Sequence, residues 1–299
     1  MGQLLRIDGD ALVIQYNNPV LAISVKEGLL SSLPEKRMLA HWHEDLEFLH
    51  ITAGKMITRL NGYDIHLDTG DVIFINSRQL HLSFGDTRDS SFQLVQIHPR
   101  LLTPAIPHGS VAEELLQDIR FRCYVFKNPS DECDQIISIL NALHHEALEK
   151  ESFYELQVVS LACQLFHSVC KHYHPSSRVS TLPSEFDQDI QRKMIAYIYA
   201  HYSENITLNQ IAAAGNVSRS KCCKLFARYL GQSPIDFLVD YRIEEGARLL
   251  IETIDPISQI ASACGFADQS YFNRVFRRKL NCSPGEFRKQ KEARISPAS

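Results

Sequence analysis

Residues Asp255 to Arg288 read DPISQIASACGFADQSYFNRVFRRKLNCSPGEFR, and this stretch decides the fold of the C-terminal third. Ile257, Ile260, Ala261 and Cys264 recur at helical spacing. Gly265 interrupts, Asp268 can cap a new start, and Tyr271, Phe272, Val275, Phe276 and Leu280 resume the 3.6-residue period. Two short helices joined by a tight Gly-containing turn form a helix-turn-helix, whose second helix enters the major groove of DNA. With Phe272 and Phe276 turned to the core, Gln269, Ser270, Asn273 and Arg274 fall on the outer face. Their amide, hydroxyl and guanidinium groups suit base edges, and Arg277, Arg278 and Lys279 follow as phosphate partners. The plainer alternative is an amphipathic helix pair with a solvated basic end.

Two observations favour DNA. The pattern recurs upstream, with Leu208, Ile211 and Ala212 in a first helix after Thr207 and a break at Gly215-Asn216. Ser218 then caps a second helix that buries Cys222, Leu225, Phe226 and Tyr229 and ends at Gly231. Its outer face carries Arg219, Ser220, Cys223 and Lys224 as base-contact candidates. A Ser-Pro follows each unit, Ser233-Pro234 and Ser283-Pro284, so the two form a divergent repeat. Pro234 to Glu252 reads as a connecting helix, with Ile235, Leu238, Tyr241 or Arg242, Ala247, Leu249 and Leu250 at helical spacing. It would set two reading heads apart by about one turn of DNA, roughly 34 Å. Charge is also divided: residues 187–299 hold 16 Lys+Arg against 12 Asp+Glu, whereas residues 1–186 hold 15 against 23. The basic segment is the one with the twin motifs, and counterion release needs positive charge only at that surface.

The run Ile260-Ala261, Gly265 through Arg278, Ser283-Pro284 and Phe287-Arg288 closely resembles the long signature of the AraC/XylS family of bacterial transcription regulators. Tyr241-Arg242-Ile243 with Ala247 to Leu250 resembles that family's connecting helix. Cys222-Cys223 and Asn281 depart from its usual residues. The resemblance implies a DNA-binding domain over 187–292, with helix-turn-helix motifs at about 207–230 and 257–280, and no enzymatic activity.

The chain has 299 residues, 44% of them hydrophobic, enough for two cores. No apolar run approaches the ~18 residues of a membrane span, and Met1-Gly2-Gln3-Leu4-Leu5-Arg6 lacks a signal-peptide apolar region. Eight scattered cysteines without a C-x-x-C pair read as reduced core residues of a cytoplasmic protein, with a redox sensor as the minor alternative.

Residues 1–110 read as a β-barrel or jelly roll. Short apolar or alternating runs predict strands at 11–15, 21–26, 38–43, 46–53, 56–60, 63–68, 72–76, 81–84 and 92–98. Asn61-Gly62 predicts a two-residue hairpin, and alternation turns Tyr63, Ile65 and Leu67 inward. His41, His43 and Glu47 differ by even numbers, so an unbroken strand puts them on one face. His81 can join them from a neighbouring strand. Together with Gly54 and Gly70-Asp71 they resemble the two motifs of the cupin fold, in whose metal-containing members three histidines and a glutamate hold a divalent metal. Two readings stand: polar contacts to an effector, with no cofactor required, or a loaded site for Fe, Mn, Ni, Cu or Zn.

Residues 111–174 read as a helical dimerisation segment. Ile136, Ile139, Leu140, Leu143 and Ala147 form one stripe. A following helix carries Leu156, Val159, Cys163, Phe166 and Cys170 on one face, and Val158, Leu161, Leu165 and Val169 on another. The second apolar face needs a partner, a second copy of the chain or simply the core. Residues 175–186 read as a linker, and the tail after Lys291 as disordered. The expected fold is thus α+β multidomain, with a cupin-like sensor and an all-α domain. The expected function is a sequence-specific transcription regulator, a homodimer on promoter DNA. It would respond to a small molecule such as a sugar or small acid, and engage RNA polymerase if an activator. The alternative is a metal-dependent cupin enzyme, oxygenase or isomerase, with an accessory helical domain.

Overall fold

The computed structural model describes residues 6–8, 11–30, 37–85, 90–118, 120–174 and 185–295. The chain divides into two compact units, the first built mainly from residues 40–183 and the second mainly from 184–299.

Short strands β1 (Arg6–Asp8) and β2 (Ala11–Val13) come first. Then follow β3 (Ile23–Leu29), β4 (Leu46–Ala53), β5 (Lys55–Leu60), β6 (Tyr63–Asp68), β7 (Val72–Ile75), β8 (His81–Gly85), β9 (Ser91–Ile97), the short helices α1 (Pro99–Leu102) and α2 (Val111–Gln117), and β10 (Cys123–Phe126). These strands form an antiparallel five-stranded sheet in the order β10-β7-β4-β9-β3 and a three-stranded sheet in the order β6-β5-β8. Asn61 and Gly62 both take positive φ, 49° and 87°, the backbone of a primed two-residue turn matched to strand twist.

Alternation in β4 assigns the two faces of the large sheet. Leu46 and Phe48 join Val72, Phe74, Val95 and Ile97 in a core with α3 (Asp131–Glu149) and α4 (Tyr154–Cys170). Glu47, one residue out of phase, turns the other way and meets His81 of the small sheet. Ser130 caps α3 by accepting from the Cys133 N–H, and Asp131, Glu132 and Asp134 complement the positive end of the helix dipole.

Several expectations are corrected. Residues 38–43 form no strand; His41 makes only an isolated bridge to His81. Tyr63 is exposed, because β6 is an edge of the small sheet and only Leu67 on that face is buried. Residues 111–174 are not a separate helical segment. β10 extends the large sheet, and α3 and α4 share its core, because their apolar stripes have that sheet face to cover. On α4 the Val158, Leu161, Leu165, Val169 face is buried, while Leu156 is 73% exposed. Of the predicted linker, 175–184 lies outside the described residues and 185–186 open α5 (Glu185–His201).

The second unit continues with α6 (Leu208–Ala214), α7 (Arg219–Leu230), α8 (Pro234–Glu252), α9 (Ile257–Ala263), α10 (Gln269–Leu280) and α11 (Pro284–Ile295). The last helix passes Lys291, where a disordered tail is predicted; 296–299 lie outside the described residues. Ile243, Ala247 and Leu250 of α8 pack with Ile260, Phe272 and Phe276. Ile235, predicted inward, is 40% exposed. Gly246 lets α8 and α10 approach, since a Cβ there would stand 2.8 Å from the Phe272 ring.

Candidate nucleic-acid interface and inter-sheet histidine cluster

The two helix pairs repeat each other closely. α6 and α9 have 7 residues each, α7 and α10 have 12. Asn216 takes the positive-φ position of the first turn (52°), Gly265 that of the second (76°). Matching backbone bonds close the turns, Val217 N–H to Ala212 O and Phe266 N–H to Ala261 O, both 3.0 Å. Ser218 accepts from the Lys221 N–H, and Asp268 accepts from Ser270 and Tyr271. Gly231 and Asn281, both left-handed, end the second helices.

Phe272, Val275 and Phe276 anchor α10 inward and leave Gln269, Ser270 and Arg274 exposed. Asn273 is only half-exposed, and its Oδ1 is buried without a hydrogen-bond partner. Tyr271, predicted inward, is 42% exposed, and the Arg274 guanidinium lies 5.3 Å from its ring centroid. Arg277 and Arg278 are exposed. Lys279, the third predicted phosphate partner, instead places its ammonium 2.7 Å from the buried Asp240 carboxylate. A buried carboxylate is costly unless paired, and both Lys279 and Arg37 turn in to it. In the first head Arg219, Ser220 and Lys224 are exposed and Cys223 is partly buried.

Two arginines in the recognised motifs prove to be struts. Arg242 of α8 donates to Tyr202 O (2.7 Å) and Glu204 O (2.6 Å) beyond the end of α5. Arg288 of α11 donates to Leu250 O (3.3 Å) and Asp255 O (2.7 Å) at the end of α8. Each guanidinium satisfies helix-end carbonyls that lack intrahelical partners.

In the first unit His41, His43, Glu47 and His81 converge between the sheets, and their donor atoms lie within 4.8 Å of one another. They are 5%, 1%, 2% and 2% exposed. No unbroken strand achieves this: β4 supplies Glu47 and β8 supplies His81, while paired backbone bonds of 2.9 and 3.0 Å between His41 and His81 add the loop. His43 Nε2 stands 3.1 Å from Glu47 Oε2, and His81 Nε2 stands 3.5 Å from Glu47 Oε1 without a well-formed hydrogen bond. Burial pushes the Glu47 carboxyl up, but the neighbouring His81 and His43 outweigh it and hold it well below the usual range. Burial lowers His81 while Glu47 raises it, and the carboxylate prevails.

Spacing alone did not single out Gln96, which donates to Glu47 Oε2 at 3.0 Å from the strand paired with β4. Its signal was a polar residue in the apolar run of β9. Asp45 accepts from the Tyr16 hydroxyl at 2.8 Å and is raised by burial; Lys26 is lowered by burial. Next to the cluster lies a cavity of about 450 Å³ lined by Glu44, Ser77, Arg78, His98, Ile106 and Leu116 among others. Arg78 sits there at φ 62° and donates its N–H to His43 O at 2.7 Å. All eight cysteines are free, and burial raises the thiols of Cys123 and Cys222 to about 11 and that of Cys264 to about 12, against redox sensing at those three.

Known proteins share this layout. Residues 211–290 match the family model described as a helix-turn-helix domain, and residues 27–166 match the AraC-like ligand binding domain. The HTH-type transcriptional regulator YdeC of Bacillus subtilis (strain 168) is 25% identical over 256 residues, spanning 83% of this chain and 85% of that protein. The HTH-type transcriptional activator RhaR of Mannheimia succiniciproducens is 24% identical over 262 residues, 83% of this chain and 86% of its own. An apo ToxT variant from Vibrio cholerae shares the fold with a TM-score of 0.51 at 16% identity, over 90% of this chain and 97% of that one. Relatives spanning both units are regulators, which sets aside the cupin enzyme. Among the described residues no helix is long and apolar enough to cross a membrane. With an antiparallel β-sheet ligand-binding domain joined to a twin helix-turn-helix domain, the chain belongs to the AraC family of DNA-binding transcription regulators.

Proposed function

We propose that α10 reads bases through Gln269, Ser270 and Arg274 while Arg277 and Arg278 bind phosphates. The observation that carries this is the polar face of α10, held outward by a buried Phe272–Phe276 pair and a doubly bonded Asp268 cap. Asn273 contributes a base contact once its amide turns out, since a bidentate contact needs both polar atoms free. Arg219, Ser220 and Lys224 of α7 form the second contact set, with Cys223 at its edge. Lys279 serves Asp240 and makes no phosphate contact. DNase footprinting with anisotropy titrations over a range of salt tests the assignment. Arg274→Ala should relax base preference, whereas Arg278→Ala should weaken all sequences alike. Equal discrimination by Arg274→Ala and wild type would overturn it.

The first unit takes the effector, and its binding biases the DNA-binding units through different affinity for their arrangements. A sugar or small acid has room in the 450 Å³ cavity, within the range of small-molecule sites. His41, His43, Glu47 and His81 are polar contacts at the neighbouring inter-sheet site, and they are also the donor set for a divalent metal. A homodimer on double-stranded promoter DNA in the cytoplasm completes the reading, with RNA polymerase as partner if the protein activates. Phe153 just before α4 and Leu156 within it, 79% and 73% exposed, support the dimer. Sedimentation of Leu156→Glu as a dimer like wild type would remove that helix from the interface.

A further inference from the structure

The cavity beside the inter-sheet cluster is walled by residues whose hydrogen bonds are unevenly spent. Arg78 occupies the β7–β8 connection at a φ of 62°, a strained backbone for a residue that bears a Cβ. The connection is pinned on both sides. The Arg78 N–H donates to His43 O at 2.7 Å. The buried Asn76 donates its amide to Phe121 O at 2.8 Å, and its Oδ1 accepts from the Ser77 N–H at 2.9 Å. Arg78 Nε donates to both Glu44 oxygens, at 3.1 and 2.8 Å, which sets the plane of the guanidinium. Among the described residues its two terminal amino groups have no hydrogen-bond partner. A strained residue, held rigidly with the end of its fork unspent, is suited to a carboxylate or phosphate.

His98 adds a second donor to the wall. It caps α1 by accepting from the Arg100 N–H through Nδ1 at 3.1 Å, so that nitrogen holds a lone pair and the proton sits on Nε2. The carboxylates of the wall are already engaged. Glu44 serves Arg78, and Glu113 accepts from the Gly109 N–H at 2.6 Å and from His108 Nδ1 at 2.9 Å. A sugar, whose hydroxyls donate as well as accept, would find those acceptors occupied. Two carboxylates against one guanidinium also disfavour a dianion such as phosphate. Pro99, Ile106 and Leu116 complete the wall with apolar surface.

We propose that this cavity binds a small organic monocarboxylate, its charged end held by the Arg78 amino groups and the His98 Nε2–H, its apolar body against Pro99, Ile106 and Leu116. The inference rests on reading the first unit as the sensor. It selects the acid over the sugar, and it places the ligand beside the inter-sheet histidines instead of among them. The Arg78 N–H bond to His43 O is the route by which an occupied cavity bears on that cluster.

The test titrates the full-length protein with acetate, butyrate, hexanoate and benzoate, by calorimetry and thermal melts. Hexanol, hexylamine, succinate, inorganic phosphate and glucose run beside them. Hexanoate or benzoate should raise the melting temperature, and the compounds that lack a single carboxylate should not. Arg78→Gly relieves the positive φ, so it should melt close to wild type while binding the acid roughly 10–100-fold more weakly. Arg78→Lys keeps the charge without the fork and should fall between the two. His98→Asn can still accept from the Arg100 N–H, so it should keep the fold and weaken the acid. No response to any of the monocarboxylates, equal binding by Arg78→Gly, or a larger response to hexylamine or glucose overturns the site. Operator affinity is followed on the same samples. Acid binding that depends on Arg78 but leaves operator affinity unchanged overturns the effector reading and leaves the site standing. Normal operator binding with no acid binding overturns the site alone.

Discussion

The two reading heads solve one backbone problem with different residues. Both turns need one residue at positive φ. The first places Asn216 there, exposed, and uses Gly215, at an ordinary φ of −86°, for space alone, since a Cβ would stand 2.8 Å from Met194 of α5. The second gives both demands to Gly265: its φ is 76°, and a Cβ would lie 2.6 Å from Tyr202 O and 2.8 Å from the Arg242 guanidinium. Conformational freedom and close approach are thus separable uses of glycine, split in one head and merged in the other. The reading faces differ too. α10 offers Gln269, Ser270 and Arg274 beside the exposed Arg277 and Arg278, the former 3.9 Å from Glu286, while Lys221 of α7 is held 2.8 Å from Asp187.

Gly265→Asn should therefore cost the most, about 2–4 kcal/mol of stability from backbone strain with a hard contact against a carbonyl. Thermal melts of the full chain check this, and a change within error would dissolve the contrast. Next, Arg274→Ala should cost about 1–3 kcal/mol in specific operator binding, and Arg219→Ala less, which competition titrations would resolve. Equal losses would make the heads equivalent readers. Removing a cap separates them more weakly: Asp268→Ala, losing two accepted N–H bonds, should cost about 1–2 kcal/mol and Ser218→Ala about 1. Arg278→Ala should lower the slope of log K against log salt by about 0.9. Smallest is Asn216→Gly, expected within about 0.5 kcal/mol because an exposed left-handed position accepts either residue.

Much of this was legible in the chain. α8 has the bounds foreseen from its period, Asp268, Ser218 and Gly231 cap as expected, and β4 and β6 match their predicted spans. Local signals suffice there, since caps and apolar periods act within a few residues. β10 escaped because pairing with β7, across two further strands and two helices, has no local mark. Tyr63 and Tyr271 were misplaced because an apolar period, of 2 in a strand or 3.6 in a helix, shows that faces differ without showing what covers each. Lys279 looked like its neighbours Arg277 and Arg278 until Asp240 was seen beneath it.

Sequence by itself determined which family this chain joins, where its twin helix pairs start and stop, and which four residues have metal-ligand chemistry. Tertiary structure alone decided that those four meet, since His41 lies on no strand and reaches His81 through a two-way backbone bridge. It also decided that Arg242 and Arg288 brace helix ends while Arg274 and Arg278 face outward. The physical reason is range: propensity and capping are settled between residues a turn apart, whereas the partner of a charge is set by whatever packing brings alongside it.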